Sequence, residues 1–515
     1  MAQIERWRDC AMKLLELAAI PVLLIFSFHA IAATPQEKWT FKAESNLYAP
    51  PLVADIAPSP GKETILSDSE ARTLRCIDAN GTQLWQYTGG WTKRLTSSAA
   101  LSMSARPGKP TLAIGNPDGK LCCIDAETGA SLWQRAVGCL EWSSILWTDI
   151  TGDSRDELVA GTAQSGIVAL DVEGNTLWTY KDEDADKPVL IRCPVAAADI
   201  DGDRKAEIFA CGAFGPLCVN GDGAARWQAN TGDDFISAAV IADADSDDAP
   251  ELYCCSRNDN FLWRFDPRDG KAIWKATLTN GADTYPGSSF AVGDIDQDGL
   301  KEIVISDVKG NTHCISSSGK LLWIFTPEKP APAAVTLGDI DGDRAVEVLA
   351  ACGDHFLYCL DAEGRQKWRF ETNLRLIHPP TITDVDEDGK TEMLIGGSDK
   401  TLRCLTCGGR YEPSLIPWPS RRFNPEQSGS SFGAAAASTP AAIDEQIPLL
   451  TCGGFERAKD FVPREGNPAG PSPLDLKKQL PRGWISESAS DAAWKMDSDT
   501  KHGGAFALRT DCANQ

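Results

Sequence analysis

Six nine-residue phrases crowd carboxylates into tight spacing: DITGDSRDE from Asp149, DIDGDRKAE from Asp199, DADSDDAPE from Asp243, DIDQDGLKE from Asp294, DIDGDRAVE from Asp339 and DVDEDGKTE from Asp384. Five of them place acids at positions 1, 3, 5 and 9: Asp199, Asp201, Asp203 and Glu207; Asp243, Asp245, Asp247 and Glu251; Asp294, Asp296, Asp298 and Glu302; Asp339, Asp341, Asp343 and Glu347; Asp384, Asp386, Asp388 and Glu392. In the sixth, Thr151 stands for the second acid beside Asp149, Asp153 and Glu157, so weaker binding is expected there. Calcium takes about six to eight oxygen ligands, and carboxylates on alternate residues of a tight loop, with a later acid, can wrap it. Magnesium fits less well, because it demands stricter octahedral geometry and keeps its waters. The expected cofactor is therefore calcium. A worn copy, DIAPSPGKE from Asp55, has lost its inner acids and is expected to bind nothing.

These phrases are turns within a larger period. The worn copy and the stretch LSMSARPGKP from Leu101 bring the number of units to eight. A second marker keeps the same beat: Trp85, Trp133, Trp178, Trp227, Trp274, Trp323 and Trp368 recur every 45 to 49 residues. Each ends a phrase such as DANGTQLW or DAEGRQKW, in which Gly supplies the turn and Trp opens the next strand. One unit reads as four short strands, and four strands at a period in the forties predict a β-propeller blade. The eighth unit lacks its Trp, while Trp39 precedes the first with no blade of its own. The N-terminal strand is therefore expected to complete blade eight and close the ring, leaving no long exposed sheet edge. The expected fold is all-β: an eight-bladed β-propeller over residues 36–430.

The two markers together resemble two propeller families, the FG-GAP or VCBS repeats with their Asp-x-Asp-x-Asp calcium turns and the PQQ-like repeats with their Gly-x-x-x-Trp docking phrase. The stretch PWPSRRFNPEQSG at 417–429 resembles the Trp-Pro-x-x-x-x-Asn-x-x-x-x-Gly tail that follows such propellers. The resemblance implies calcium turns and no particular activity, because the fold hosts many functions.

The flanks carry other signals. Residues 12–32, MKLLELAAIPVLLIFSFHAIA, read as a Sec signal with a cleavage site after Ala30-Ile31-Ala32, so residues 1–32 are expected to leave and the protein to be secreted, periplasmic or at the cell surface. Membrane contact is expected only through an uncleaved signal. Small residues at 431–447 read as a flexible linker. Beyond it, residues 448–515 resemble the opening strands of a carbohydrate-binding-like jelly roll, too short to complete one.

Composition narrows the function. A net charge of −23 would repel nucleic acid and anionic membranes. Seventeen cysteines suggest disulfides in a secreted chain, yet Cys76, Cys123, Cys218, Cys314, Cys359 and Cys404 occupy one repeat position, which predicts buried strand thiols. The vicinal pairs Cys122-Cys123 and Cys254-Cys255 resemble the disulfide of PQQ-dependent alcohol dehydrogenases but fall inside strand patterns. Residues ahead of the inner strands, namely Tyr48, Arg94, Glu141, Trp142, Arg192, Phe235, Tyr285, Lys329 and His378, would suit a sugar- or peptide-binding channel mouth. No catalytic acid, base and neutraliser can be assigned from spacing. The expectation is a monomeric, non-catalytic module binding extracellular carbohydrate or a cell-surface protein. The alternatives are a lyase-like enzyme acting on polysaccharide and a PQQ-dependent dehydrogenase.

Overall fold

The computed structural model describes residues 34–431, except 139, 141–144, 164, 182–190, 192, 213–214, 236, 258–259, 279–289, 373–374, 377 and 425–426, together with 495–502 and 505–509. Residues 1–32, expected to be a signal, lie outside the described residues. No helix among the described residues is long and apolar enough to cross a membrane.

Eight four-stranded antiparallel sheets follow one another along the chain. Blade 1 shows the plan, with strands Leu52–Ala54, Glu63–Asp68, Thr73–Ile77 and Gln83–Tyr87 in sequential order. Middle strands read as unbroken buried runs, as in Glu347–Cys352 of blade 7, because both sheet faces are covered by neighbouring blades. The outermost strands are part exposed. Blade 8 contributes only Thr381–Thr383, Lys390–Gly396 and Thr401–Arg410, and its fourth strand is the N-terminal Gln36–Lys42, paired with Trp39 opposite Cys404. The ring is closed by the two ends of the propeller sequence, as Trp39 predicted.

The apolar core lies between blades. One cluster joins Ile65 and Leu74 of blade 1 to Leu112 and Ile124 of blade 2. Another joins Leu394 and Leu402 of blade 8 to Leu66 and Ile77 of blade 1. The repeating tryptophan faces the repeating cysteine across the outer strand pair: Cys76 opposite Trp85, Cys123 opposite Trp133, Cys218 opposite Trp227, Cys314 opposite Trp323 and Cys359 opposite Trp368. A bulge follows the pair in each of these blades. A small residue there leaves room for the indole. Blade 3 uses Ala169 for the same purpose, but blade 5 places Arg264 opposite Trp274.

Seven of the indoles, Trp39 among them, then dock on the following blade. A Cβ added at Gly81, Gly129, Gly174, Gly223, Gly270, Gly319 or Gly364 would lie 2.5–2.9 Å from a ring atom of Trp39, Trp85, Trp133, Trp178, Trp227, Trp274 or Trp323, respectively. Those glycines have φ of +72° to +87°, so the position requires glycine twice over, for its backbone and for the approach of the ring. Six of the indoles also donate Nε1–H to a carbonyl of the next blade at 2.7–3.1 Å, Trp133 to Val172 among them.

All thirteen described cysteines are buried thiols. The vicinal pairs follow strand alternation: Cys122 packs between blades 1 and 2 and Cys123 between blades 2 and 3, while Cys254 and Cys255 likewise enter different clusters.

The chain divides into two units, Met1–Thr439 and Pro440–Gln515. In the second, Lys495–His502 and Ala505–Arg509 form an antiparallel hairpin. The rest of the expected jelly-roll segment lies outside the described residues, as does the expected linker from residue 432 onward.

Candidate metal centres and the channel lining

Each acidic phrase joins the first and second strands of a blade. Its first aspartate organises the turn by accepting backbone N–H groups: Asp199 from Gly202 at 2.7 Å and Arg204 at 2.9 Å, Asp339 from Gly342 at 2.7 Å and Arg344 at 3.0 Å. Positions 4 and 6 are left-handed in all six turns, from Gly152 and Ser154 in blade 3 to Glu387 and Gly389 in blade 8. That double reversal aims successive carboxylates inward. The closing glutamate lies at the start of the second strand, as its first residue in blades 3 to 7 and its third in blade 8, and accepts the N–H of position 2, as Glu302 does from Ile295 at 3.1 Å. Glu63 of the worn blade 1 turn keeps this bond, from Ile56 at 3.0 Å, and takes the Ser59 hydroxyl in place of an aspartate.

Carboxylate oxygens converge within 4.8 Å in five turns: Asp243, Asp245, Asp247 and Glu251; Asp384, Asp386, Asp388 and Glu392; Asp199, Asp201 and Asp203; Asp294, Asp296 and Glu302; Asp339, Asp341 and Glu347. Asp298, Asp343 and Glu207 belong to these turns by sequence but stand outside that radius. The Asp149, Thr151, Asp153 and Glu157 set forms no such cluster among the described residues, and the Thr151 hydroxyl lies 3.5 Å from Glu157. Burial pushes Glu157, Glu207, Glu251 and Glu302 up to about 7, and Glu347 to about 8, with the neighbouring aspartates adding to the cost of charge. Such a set favours an added cation.

Four turns already hold a cationic side chain. Lys367 Nζ sits 2.9 Å from Asp341, 3.1 Å from Asp343 and 2.6 Å from Glu347. Lys38 reaches Asp386 at 2.7 Å and Glu392 at 2.9 Å, Arg226 reaches Asp201 at 2.7 Å and Glu207 at 3.5 Å, and Arg264 reaches Asp245 at 2.6 Å and Glu251 at 2.9 Å. Burial opposes the charge on Lys367, but hydrogen bonding and attraction from Glu347 and its aspartates outweigh it and hold the ammonium above the ordinary lysine range. Sequence spacing missed these partners. The signal for three of them was the residue before the docking tryptophan, which is Lys38, Arg226 or Lys367 in three blades and Leu or Ile in the others, whereas Arg264 sits on the third strand opposite Trp274.

The opposite end of the ring carries the loops that enter the inner strands. Tyr48 is half-buried, accepts a hydrogen bond from Asn46 at 2.9 Å and has the exposed Arg94 guanidinium 5.4 Å from its ring centre. Lys329 is exposed. Phe235 and His378, expected at the mouth, are instead core residues, each 1 % exposed. Phe235 packs on Trp263 and Phe265, and burial drives His378 down to about 4 while its Nδ1 contacts the Pro379 carbonyl at 3.2 Å. Glu141, Trp142, Arg192 and Tyr285 lie outside the described residues.

The segment after blade 8 turns back along the inner strands. Trp418 exchanges backbone hydrogen bonds with Leu337 of blade 7, Pro419 accepts from Ile382 of blade 8, Ser428 accepts from Ala197 of blade 4, and Gly429 from Ile241 of blade 5. Pro417 abuts Gly293 of blade 6. Protein thus lines the channel beside five blades. The tail motif explains itself: Trp418 is fully buried against Phe423, Asn424 accepts from Ser428 N–H at 2.9 Å, and Gly429, at φ +64°, leaves space that a Cβ would take from Arg422. Arg422 donates Nη2 to the Gln427 carbonyl at 2.8 Å and to that of Val195. Burial, and the neighbouring Arg421, push it down to about 9.

With the eight-bladed ring and its turns in view, two family models match separate stretches of the chain. Residues 27–192 match a family model described as outer membrane protein assembly factor BamB. Residues 267–338 and 334–428 match one described as the lambda-carrageenase beta-propeller domain. Among curated proteins none matches in sequence. In structure the chain is similar to BamB from Moraxella catarrhalis, at 16% identity and TM-score 0.51 over 74% of this chain and 100% of that one. It is also similar to a europium-containing methanol dehydrogenase, at 13% identity and TM-score 0.56 over 73% and 93%, and to the quinohemoprotein alcohol dehydrogenase of Comamonas testosteroni, at 14% identity and TM-score 0.51 over 74% and 78%. These likenesses establish the fold.

Proposed function

We propose that this chain is a secreted, calcium-stabilised propeller of FG-GAP/VCBS character, acting without catalysis as a monomeric module that binds extracellular carbohydrate or a cell-surface protein. The observation that carries the reading is the tail, which runs along the inner strands of blades 4 to 8, through Leu415, Trp418 and Pro419 and again through Ser428, Gly429 and Ser431, and so leaves recognition to the end loops of the ring. The convergent carboxylates support the metal, and the calcium assignment rests on their number and alternate spacing. The match to a model described as an outer membrane assembly factor supports a location beyond the cytoplasm, as does the apolar leader at 12–32. We place the propeller at 36–430, ahead of a linker at 431–447 and a jelly-roll-like segment at 448–515.

A second reading, an enzyme acting on extracellular polysaccharide, is favoured by the carrageenase-propeller match over the C-terminal half of the ring. A glycan array on the purified chain, followed by an assay for unsaturated or reducing-end products on each hit, separates the two. Binding without product is expected. Turnover of any bound glycan would replace the first reading by the second.

A further inference from the structure

We infer that in blades 4, 5, 7 and 8 a Lys or Arg nitrogen of the chain itself takes the place of the divalent cation, leaving the turn of blade 6 as the principal metal site. The inference rests on the cation reading of the turns and adds which of them are open. The four nitrogens occupy one equivalent point, against the closing glutamate's Oε1 and the second aspartate's Oδ2. They arrive there by two routes. Lys38, Arg226 and Lys367 extend from the outer strand one residue before the tryptophan, whereas Arg264 comes from the third strand, in the column that cysteine fills in six other blades. Two independent solutions to one charge problem mark that point as a cation position.

Blade 6 has neither route. Its two positions are Leu322 and Cys314, and Leu322 points to solvent. Glu302 is nevertheless only 3 % exposed, and its Oε1 has no cationic partner among the described residues. Asp294 Oδ1 is buried without a hydrogen bond, as are Asp245 Oδ1 and Asp386 Oδ1, but the turns of those two already hold the Arg264 guanidinium and the Lys38 ammonium. The nearest lysine in the turn, Lys301, bonds away to the Asp243 carbonyl of blade 5. A dication seated in blade 7 would have to expel an ammonium that already satisfies three carboxylates, while one seated in blade 6 meets only oxygens. Blade 3 also lacks a resident cation, with Leu177 and Ala169 at the two positions, but Thr151 replaces a ligand there.

The test counts calcium ions bound by chelator-treated full-length protein in equilibrium dialysis, for wild type, Glu302→Gln and Lys367→Met, with circular dichroism to verify folding. Wild type should show one tight site, Glu302→Gln should lose it, and Lys367→Met should gain one more. If Lys367→Met does not fold, Arg226→Met repeats the gain at a side chain that is 25% exposed. Five or six equivalent sites in wild type, or folded lysine and arginine variants that gain none, would overturn the inference and leave the cation reading standing. No calcium in any of the proteins would instead remove the cation reading itself.

Discussion

Replacing Gly174 by alanine tests whether the tryptophan–glycine joints hold the blades together. Gly174 has φ +81°, where an L-residue costs roughly 1 kcal/mol. Its added Cβ would sit 2.8–3.0 Å from three atoms of the Trp133 indole, closer than carbon tolerates, so the ring must lift. Lifting it breaks the Nε1 bond to Val172, worth about 1 kcal/mol net. It also forfeits packing of a half-buried tryptophan, about 1–2 kcal/mol as a fraction of a full Trp→Ala loss. The expected loss is therefore about 3–4 kcal/mol. Gly108→Ala is the control, because φ is +69° there and nothing lies within 4 Å of the new methyl. It should lose only about 1 kcal/mol. Urea unfolding followed by far-UV circular dichroism reads both, and equal losses would refute the docking argument.

Three further outcomes are expected. Deleting residues 34–43 removes the closing strand with Trp39 and the Lys38–Glu392 ion pair, and should cost on the order of 5 kcal/mol, seen as a strongly lowered melting temperature; a melt like the parent's would deny the closure. Trp418→Ala empties a fully buried site in the tail and should cost about 3–5 kcal/mol in urea, whereas a loss below about 1 kcal/mol would mean the tail is not packed in the channel. His378 has a folded-state value of about 4, below that of the unfolded chain, so its contribution is complete above pH 6.5 and is lost as the pH falls toward 4. His378→Asn should therefore lose about 2 kcal/mol less than wild type between pH 7.5 and pH 5, and identical pH profiles would contradict a neutral, buried imidazole.

The ring was legible because its markers are local. A turn that needs carboxylates on alternate residues must spell them in order, and a tryptophan that needs glycine beneath it must repeat at the blade length. Even the closure could be read, since Trp39 was a marker without a blade. The channel was not legible in the same way. His378 and Phe235 look like rim residues beside their strands, but burial depends on what covers them, and the surroundings come from distant segments. The partners of the acidic turns were hidden for a related reason. Arg226 lies 25 residues from Asp201, and Lys38 lies 348 from Asp386, so only strand pairing brings them together.

The joints also reveal where such a ring would come apart. Seven tryptophans sit on a glycine of the next blade, but Trp368 does not, because blade 8 borrows its last strand from the N-terminus and has no hairpin there to supply one. Its Nε1 is buried without a partner, and Gly409 approaches the backbone of Asp341 and Gly342 instead. Across that same junction the tail bonds Leu337 through Trp418 and Ile382 through Pro419. Under load the molecule should behave as a clasped bracelet, with seven glycine-seated links, one different link, and a pin passed through the different one.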